Sequence, residues 1–213
     1  MESYRDYWEK EWSTLSIDEC QSYLDYHIRA KPWFLESFRA HQVRHVCDAA
    51  CGFGAFSAML SANGYQVSGF DVAETAVNLT KKMLDQNQLA YSQYIVSDIC
   101  AIGYPNDCFD AVVAHAVIDH LSANTAQTAL AELLRVTKPG GLVYISFDTL
   151  EEDDLNAPHE VLNDGSFLYT SGEREGLLFR YYSSKDIKKL VGAKKTIQWH
   201  CSRRGERSLL IQK

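Results

Sequence analysis

The stretch "VCDAACGFGAF", Val46 to Phe56, places an apolar run immediately before two glycines spaced one apart, with a helix of small residues after them. A strand, a glycine turn and a helix in that order present backbone N–H groups to a ligand at the helix start. A nucleoside triphosphate loop needs Gly-x-x-x-x-Gly-Lys-Ser/Thr, and no lysine follows Gly54, so that reading fails. A dinucleotide loop needs Gly-x-Gly-x-x-Gly/Ala; from Gly52 the chain runs Gly52-Phe53-Gly54-Ala55-Phe56-Ser57, with serine in the third place. Serine is also small, so the loop alone leaves the cofactor open.

Outward from this loop, short apolar runs alternate with segments of helical period, the pattern of a parallel sheet with helices on both faces. "HVCDAA" reads as a first strand and "AFSAMLSANG" as a helix closed by a left-handed Gly64. "YQVSGFDV", "SQYIVSDI" and "CFDAVVAHAV" read as the next three strands, with "AETAVNLTKKMLDQNQ" as a helix after the first of them. "NTAQTALAELLRVTK" reads as a helix stopped by Pro139-Gly140-Gly141, and "LVYISFD" as the fifth strand. After a polar stretch, "SSKDIKKLVG" reads as a short helix, and "KTIQWHCS" with "RSLLIQK" as a closing antiparallel hairpin. The residues before the first strand read as helix only, broken at Pro32.

A chain of 213 residues with 46% hydrophobic and 23% charged residues is long enough to bury one substantial core, so residues 1–213 read as a single domain. No run approaches the roughly 18 apolar residues of a membrane span, and the first residues, Met1 to Asp6, are charged rather than apolar; the chain reads as soluble and cytoplasmic, with no membrane partner. The six cysteines lack both a signal peptide and Cys-x-x-Cys zinc spacing, so they read as reduced thiols, and no metal site is expected. The net charge of −7 divides unevenly, with 11 Lys and Arg against 4 Asp and Glu from Glu173 onward. An acidic chain with a basic tail can touch an anionic substrate but matches duplex nucleic acid poorly.

The acids in register with the loop are more informative than the glycines. Asp48, Asp71 and Asp98 stand at the ends of the first three strands, and ligands of open parallel sheets bind outside the carboxyl ends of the strands. A carboxylate there can accept ribose hydroxyls or an exocyclic amine. An extra acid beside the loop repels a pyrophosphate and attracts a free amino group.

"VCDAACGFG", "VSGFDVAE", "SDI", "FDAVVAHAVIDHL" and "VTKPGGLVYIS" together, over about residues 43–148, resemble class I S-adenosylmethionine-dependent methyltransferases in order and spacing. The family pattern usually has glycine at the position of Ala50. The resemblance implies a Rossmann-like α/β fold, a seven-stranded, mostly parallel sheet with an antiparallel last strand. It further implies that Asp48 and the loop at Ala50, Cys51, Gly52 and Gly54 hold the methionine part of the cofactor. Asp71 then meets the ribose, Val72 and Ile99 the adenine faces, Asp98 the adenine amine and His115 the methionine end.

A sulfonium methyl is already activated, so such an enzyme mainly aligns an acceptor in a water-poor pocket. A base is needed only where the acceptor must first lose a proton. His115, Asp119 and His120 in "AHAVIDHL" are the candidates, although Asp119 equally suits a helix cap and His120 a packed residue. Residues 1–42 read as an N-terminal helical lid whose Tyr4, Tyr7, Trp8 and Trp12 either cover the sulfonium or pack on the core. Residues 149–182 read as an insertion near the acceptor site, with Tyr169, Arg180, Tyr181 and Tyr182 as acceptor contacts, Arg180 suiting a carboxylate or phosphate. Tyr4, Trp8, Tyr169, Arg180 and Tyr182 are therefore the candidate substrate-binding residues.

The expected function is methyl transfer from S-adenosylmethionine, leaving S-adenosylhomocysteine, to a small-molecule acceptor and not to nucleic acid. A nicotinamide-dependent oxidoreductase and a non-catalytic binder of S-adenosylmethionine stay open as alternatives. The sequence specifies neither the acceptor nor the oligomeric state.

Overall fold

Residues 4–213 are described by the computed structural model, the side chains of residues 26 and 27 excepted; Met1 to Ser3, the start of the expected lid, lie outside the described residues. Three helices come first, α1 (Tyr4–Thr14), α2 (Ile17–Ile28) and α3 (Phe34–Ala40), the last two separated around Pro32, where the ring denies the helix an N–H. Alternation of strand and helix follows: β1 (His45–Ala49), α4 (Ala55–Ala62), β2 (Gln66–Asp71), α5 (Glu74–Gln86), β3 (Tyr94–Val96), β4 (Phe109–Ala114), α6 (Ala123–Val136) and β5 (Thr137–Phe147). The insertion contains α7 (Glu152–Asn156), β6 (His159–Val161), β7 (Phe167–Tyr169) and β8 (Leu178–Phe179), and the chain closes with α8 (Ser184–Val191), β9 (Lys195–Cys201) and β10 (Arg207–Gln212).

The main sheet has seven strands in the order β3-β2-β1-β4-β5-β10-β9. β10 runs antiparallel to both β5 and β9, and the pairs among β1 to β5 are parallel. Phe34, Phe38, Met59, Leu60 and Met83 of α3, α4 and α5 pack in one core with Val46, Val113 and Tyr144. Leu130, Leu133 and Ile187 of α6 and α8 pack in another with Val112, Val143 and Phe147. Alternate residues of one strand thus face opposite cores, and the sheet is buried on both sides. α6 starts on Ser122, whose hydroxyl accepts from the Thr125 N–H at 3.2 Å, and α8 starts on a reciprocal Ser183–Asp186 capping box.

Two readings need correction. Pro139-Gly140-Gly141 does not stop α6, which already ends at Val136; the three residues lie inside β5, where the pairing jumps from Phe109–Thr137 to Ala111–Leu142. A bulge tolerates the N–H that proline lacks. A Cβ on Gly141 would stand 2.7 Å from the Asp110 carbonyl, so the bulge needs glycine there. The insertion, read only as a polar stretch, forms a second antiparallel sheet in the order β6-β7-β8.

The strand order reverses between β1 and β4, which opens a crevice outside the carboxyl ends of the neighbouring strands. Close contact between β2 and its neighbours holds this end of the sheet together. A Cβ on Gly69 would lie 2.4 Å from the Tyr94 ring and 2.8 Å from the Asp48 carbonyl. Gly69→Ala should therefore cost about 1–3 kcal/mol of stability by overpacking, measured by urea unfolding; a variant as stable as the parent would contradict the packing described.

Candidate active site

The chain leaves β1 through a loop that turns left-handed three times, at Ala50 (φ 56°), Gly52 (φ 53°) and Gly54 (φ 88°). Ala50 pays for its methyl group in this region, and the surroundings hold the loop in place. The Cys51 N–H donates to the Phe70 carbonyl at 3.0 Å, the Gly52 N–H to Asp71 Oδ2 at 3.0 Å, and the Thr80 hydroxyl to the Gly52 carbonyl at 2.8 Å. Asp71 also accepts from the Ala73 N–H at 3.0 Å through Oδ1. One buried carboxylate thus ties the end of β2 to the glycine loop and to the start of α5. Burial raises its pKa, against the pull of these hydrogen bonds.

The three acids occupy different depths. Asp48 lies under the loop, where its Oδ2 accepts from the Ser57 hydroxyl at 2.5 Å, and Ser57 in turn accepts from the Tyr94 hydroxyl at 2.6 Å. Asp71 lines the crevice with Val72, Ile99 and Ala50. Asp98 sits at its outer edge, bonded through Oδ1 to the Cys100 N–H at 2.7 Å and also to the Tyr4 hydroxyl, whose pKa is raised by burial and by this carboxylate.

Helix α1 covers the crevice by touching the end of each of the first three strands. The Trp12 ring lies over Gly52, so close that a Cβ there would meet it at 2.7 Å. The Glu9 carboxylate accepts from the Thr75 N–H at 3.1 Å and from the Thr75 hydroxyl, and Tyr4 reaches Asp98. Trp8 stands edge-on to His120 with centroids 5.2 Å apart and stacks on Trp12 at 6.0 Å. Tyr4, Trp8 and Trp12 all line the cavity that α1 leaves, about 60 Å³, and none of its lining residues is Lys or Arg. Tyr7 is buried and meets Trp8 edge-on.

His120 is shared by this cavity and a second one of about 390 Å³ under the insertion. Its Nδ1 lies 3.1 Å from the Leu178 carbonyl oxygen, which can only accept, so the bond assigns the proton to Nδ1 and leaves the Nε2 lone pair available. Burial lowers its pKa and keeps the ring neutral. His115 lies elsewhere, stacked on Phe56 at 4.2 Å and 3.0 Å from the Ser146 hydroxyl, in the wall of a third cavity of about 890 Å³.

Asp119, adjacent to His120 in sequence, lines none of these cavities. It is fully buried, accepts the Asp148 N–H at 2.8 Å, and is held well above the usual carboxylate range by burial; it anchors the end of β5. Two expected acceptor contacts are also committed elsewhere. Arg180 Nη1 bonds the Asp164 carbonyl, and its guanidinium stands 5.2 Å over the Tyr182 ring. Tyr182 is 3% exposed and packs 5.0 Å from Phe147. Tyr181 is exposed, with Arg207 over its ring. Tyr169 does line the 390 Å³ cavity, its hydroxyl donating to the Asp154 carbonyl at 3.2 Å. Sequence reasoning missed Glu9, Thr75 and Thr80, and Asp148 and Glu206 in the cavity walls; no motif marks any of them.

Residues 47–145 match the family model described as "Methyltransferase domain". The chain is 38% identical over 124 residues to the malonyl-[acyl-carrier protein] O-methyltransferase of Erwinia pyrifoliae, covering 57% of this chain and 43% of that protein. It therefore spans less than half the length of that relative. Among solved structures, an S-adenosylmethionine-dependent methyltransferase of Methanosarcina mazei aligns with a TM-score of 0.69 at 17% identity, over 86% of this chain and 98% of that one. The 1,6-didemethyltoxoflavin-N1-methyltransferase of Burkholderia thailandensis aligns with a TM-score of 0.65 at 15% identity, over 88% and 78%. These structural likenesses establish the Rossmann-like methyltransferase fold.

Burial raises the Asp48 carboxyl to about 7, above an unfolded value of about 3.9. The folded chain then keeps a proton that the unfolded chain has released, so this group lowers stability as pH rises from about 4 to about 7. Asp48→Asn should flatten the fall in unfolding free energy between about pH 4 and 7, measured by urea titration at each pH; an unchanged slope would contradict the burial of this acid.

Proposed function

We propose that the chain is a class I S-adenosylmethionine-dependent methyltransferase, a reading supported by the match of residues 47–145 to a methyltransferase domain and by the shared fold, and that it transfers the methyl group of S-adenosylmethionine to a small-molecule acceptor by in-line displacement. The observation that carries this reading is the Asp71 carboxylate in a crevice wall that holds no Lys or Arg, with Asp98 at its outer edge and Asp48 beneath the left-handed loop. Such a wall suits a ligand carrying an ammonium and a sulfonium and opposes one carrying a pyrophosphate.

The residues present fit that cofactor. Asp71 faces the crevice while it accepts backbone N–H groups of Gly52, Val72 and Ala73, and its remaining acceptor capacity suits a ribose hydroxyl. Val72 and Ile99 give the apolar sides of an adenine slot, Asp98 accepts at its edge, and the backbone from Ala50 to Gly54 with Cys51 and Gly52 borders the methionine part. Asp48 acts from beneath, holding the loop through Ser57. When bound, S-adenosylmethionine supplies a methyl group already activated on sulfur.

Helix α1 is the lid in this reading. Ligand sites measure about 300–1,000 Å³, so a cavity of about 60 Å³ requires α1 to swing out before a nucleoside enters and to close again over it. Closure brings the faces of Trp8 and Trp12 to the crevice, where they exclude water and attract positive charge. His120 presents its free Nε2 lone pair toward the acceptor side as the base for any proton that must leave. His115, bound to Ser146, borders the 890 Å³ cavity and shapes the acceptor side. Among the described residues no helix is long and apolar enough to cross a membrane.

S-adenosylmethionine or S-adenosylhomocysteine at about 100 times its dissociation constant should add about 2.7 kcal/mol of stability, read as a thermal shift, and NAD should add none. Protection by NAD alone would overturn the reading. Asp71→Asn should weaken cofactor binding by about 10- to 100-fold through loss of charge-assisted hydrogen bonds, measured by calorimetric titration; unchanged affinity would remove Asp71 from the ribose site.

A further inference from the structure

The acceptor side of His120 has a definite charge chemistry. Its 390 Å³ cavity is bounded by Asp148, Glu151, Asp154 and Glu206 on the acidic side and by Arg174 and Arg204 on the basic side. Arg174 is already neutralised by Asp154 at 2.5 Å. Glu151 is used in the capping box of α7, and Arg204 is exposed. Asp148 and Glu206 remain. Neither side chain has a hydrogen bond or ion pair among the described residues, and each is raised by burial, with the other carboxylate adding to the effect on Glu206. Arg207, the buried guanidinium nearby, is committed to the carbonyls of Tyr182 and Asp148. Arg207 and His120 offset part of the rise at Asp148 and His200 part of that at Glu206, but among the described residues no cation contacts either carboxylate; the pair would repel an anionic acceptor, and a neutral one would leave their repulsion in place.

The two acids do not make this a site by themselves. The cavity does, because His120 joins it to the cofactor crevice with a free lone pair in the shared wall, and Glu206 joins it to the 890 Å³ cavity. Tyr169 and Phe179 supply aromatic walls for the body of a cation.

We infer that the acceptor is an amine that enters as an ammonium ion between Asp148 and Glu206. The inference rests on the methyltransferase reading above. The ammonium gives one proton to His120 Nε2, which frees the nitrogen lone pair. That lone pair forms a bond to the methyl carbon as the carbon–sulfur bond breaks, and the sulfur keeps the bonding electrons. The products are the methylated ammonium and S-adenosylhomocysteine, and the proton on His120 returns to water. The cationic product keeps the same pair of carboxylates until it leaves.

The test uses the full chain, methyl-labelled S-adenosylmethionine and three compounds of one skeleton: 2-phenylethylamine, 2-phenylethanol and phenylacetate. Only the amine should accept label or raise the melting temperature above that of the S-adenosylhomocysteine complex. Asp148→Asn and Glu206→Gln should each lower kcat/KM for the amine at least tenfold, mainly through KM, while the thermal shift given by S-adenosylhomocysteine alone stays the same. Labelling of the alcohol or the acid in place of the amine, an amine that neither accepts label nor binds, or an amine reaction indifferent to both substitutions would overturn the assignment. Loss of the S-adenosylhomocysteine shift in the parent protein would instead overturn the methyltransferase reading, so the two failures are distinct.

Discussion

The carboxylate of Asp71 is the constraint on which the crevice depends. Its two oxygens take the N–H groups of Gly52 and Ala73, so one side chain fixes the glycine loop, the end of β2 and the start of α5 relative to one another. The left-handed residues of the loop are tolerated because this anchor, the Phe70 carbonyl and Thr80 together hold the conformation. A buried carboxylate is costly unless hydrogen-bonded, and here its bonds shape the surface that a cofactor would meet.

The cover over that surface is attached to the same three strand ends. Trp12 rests on the loop after β1, Glu9 on Thr75 after β2, and Tyr4 on Asp98 after β3. Each contact pairs a residue of α1 with a group of the crevice or its border. A ligand in the crevice would therefore change what α1 packs against, which would couple its binding to the proposed closure of α1.

Much of this was legible in the sequence, for reasons that differ by element. β1, β2 and β4 are apolar runs whose burial on both faces leaves a strong signal, and the acids that follow stand in a register set by the parallel sheet. The start of β5 was misread because Pro-Gly-Gly after a helix looks like a stop, while the bulge opposite Asp110 gives the same residues a place inside a strand. The small sheet of the insertion depends on pairs such as His159–Tyr169 and Phe167–Phe179, which no local period announces. Glu9 meets Thr75 across 66 positions, and Asp148 and Glu206 are brought to one cavity from β5's end and the last hairpin. Asp119 and His120 show the limit most clearly. They are neighbours in a tight 3₁₀ turn, Ile118–His120, which sends one side chain into the core and the other to the cavities.

The central claim is that the loop, the three acids and α1 form one cofactor site. Amide hydrogen exchange of the full chain, with and without saturating S-adenosylhomocysteine, tests it most directly. The account predicts slowed exchange in residues 50–54 and in α1 together. Protection of the loop with α1 unchanged, or no protection of either segment, would contradict it.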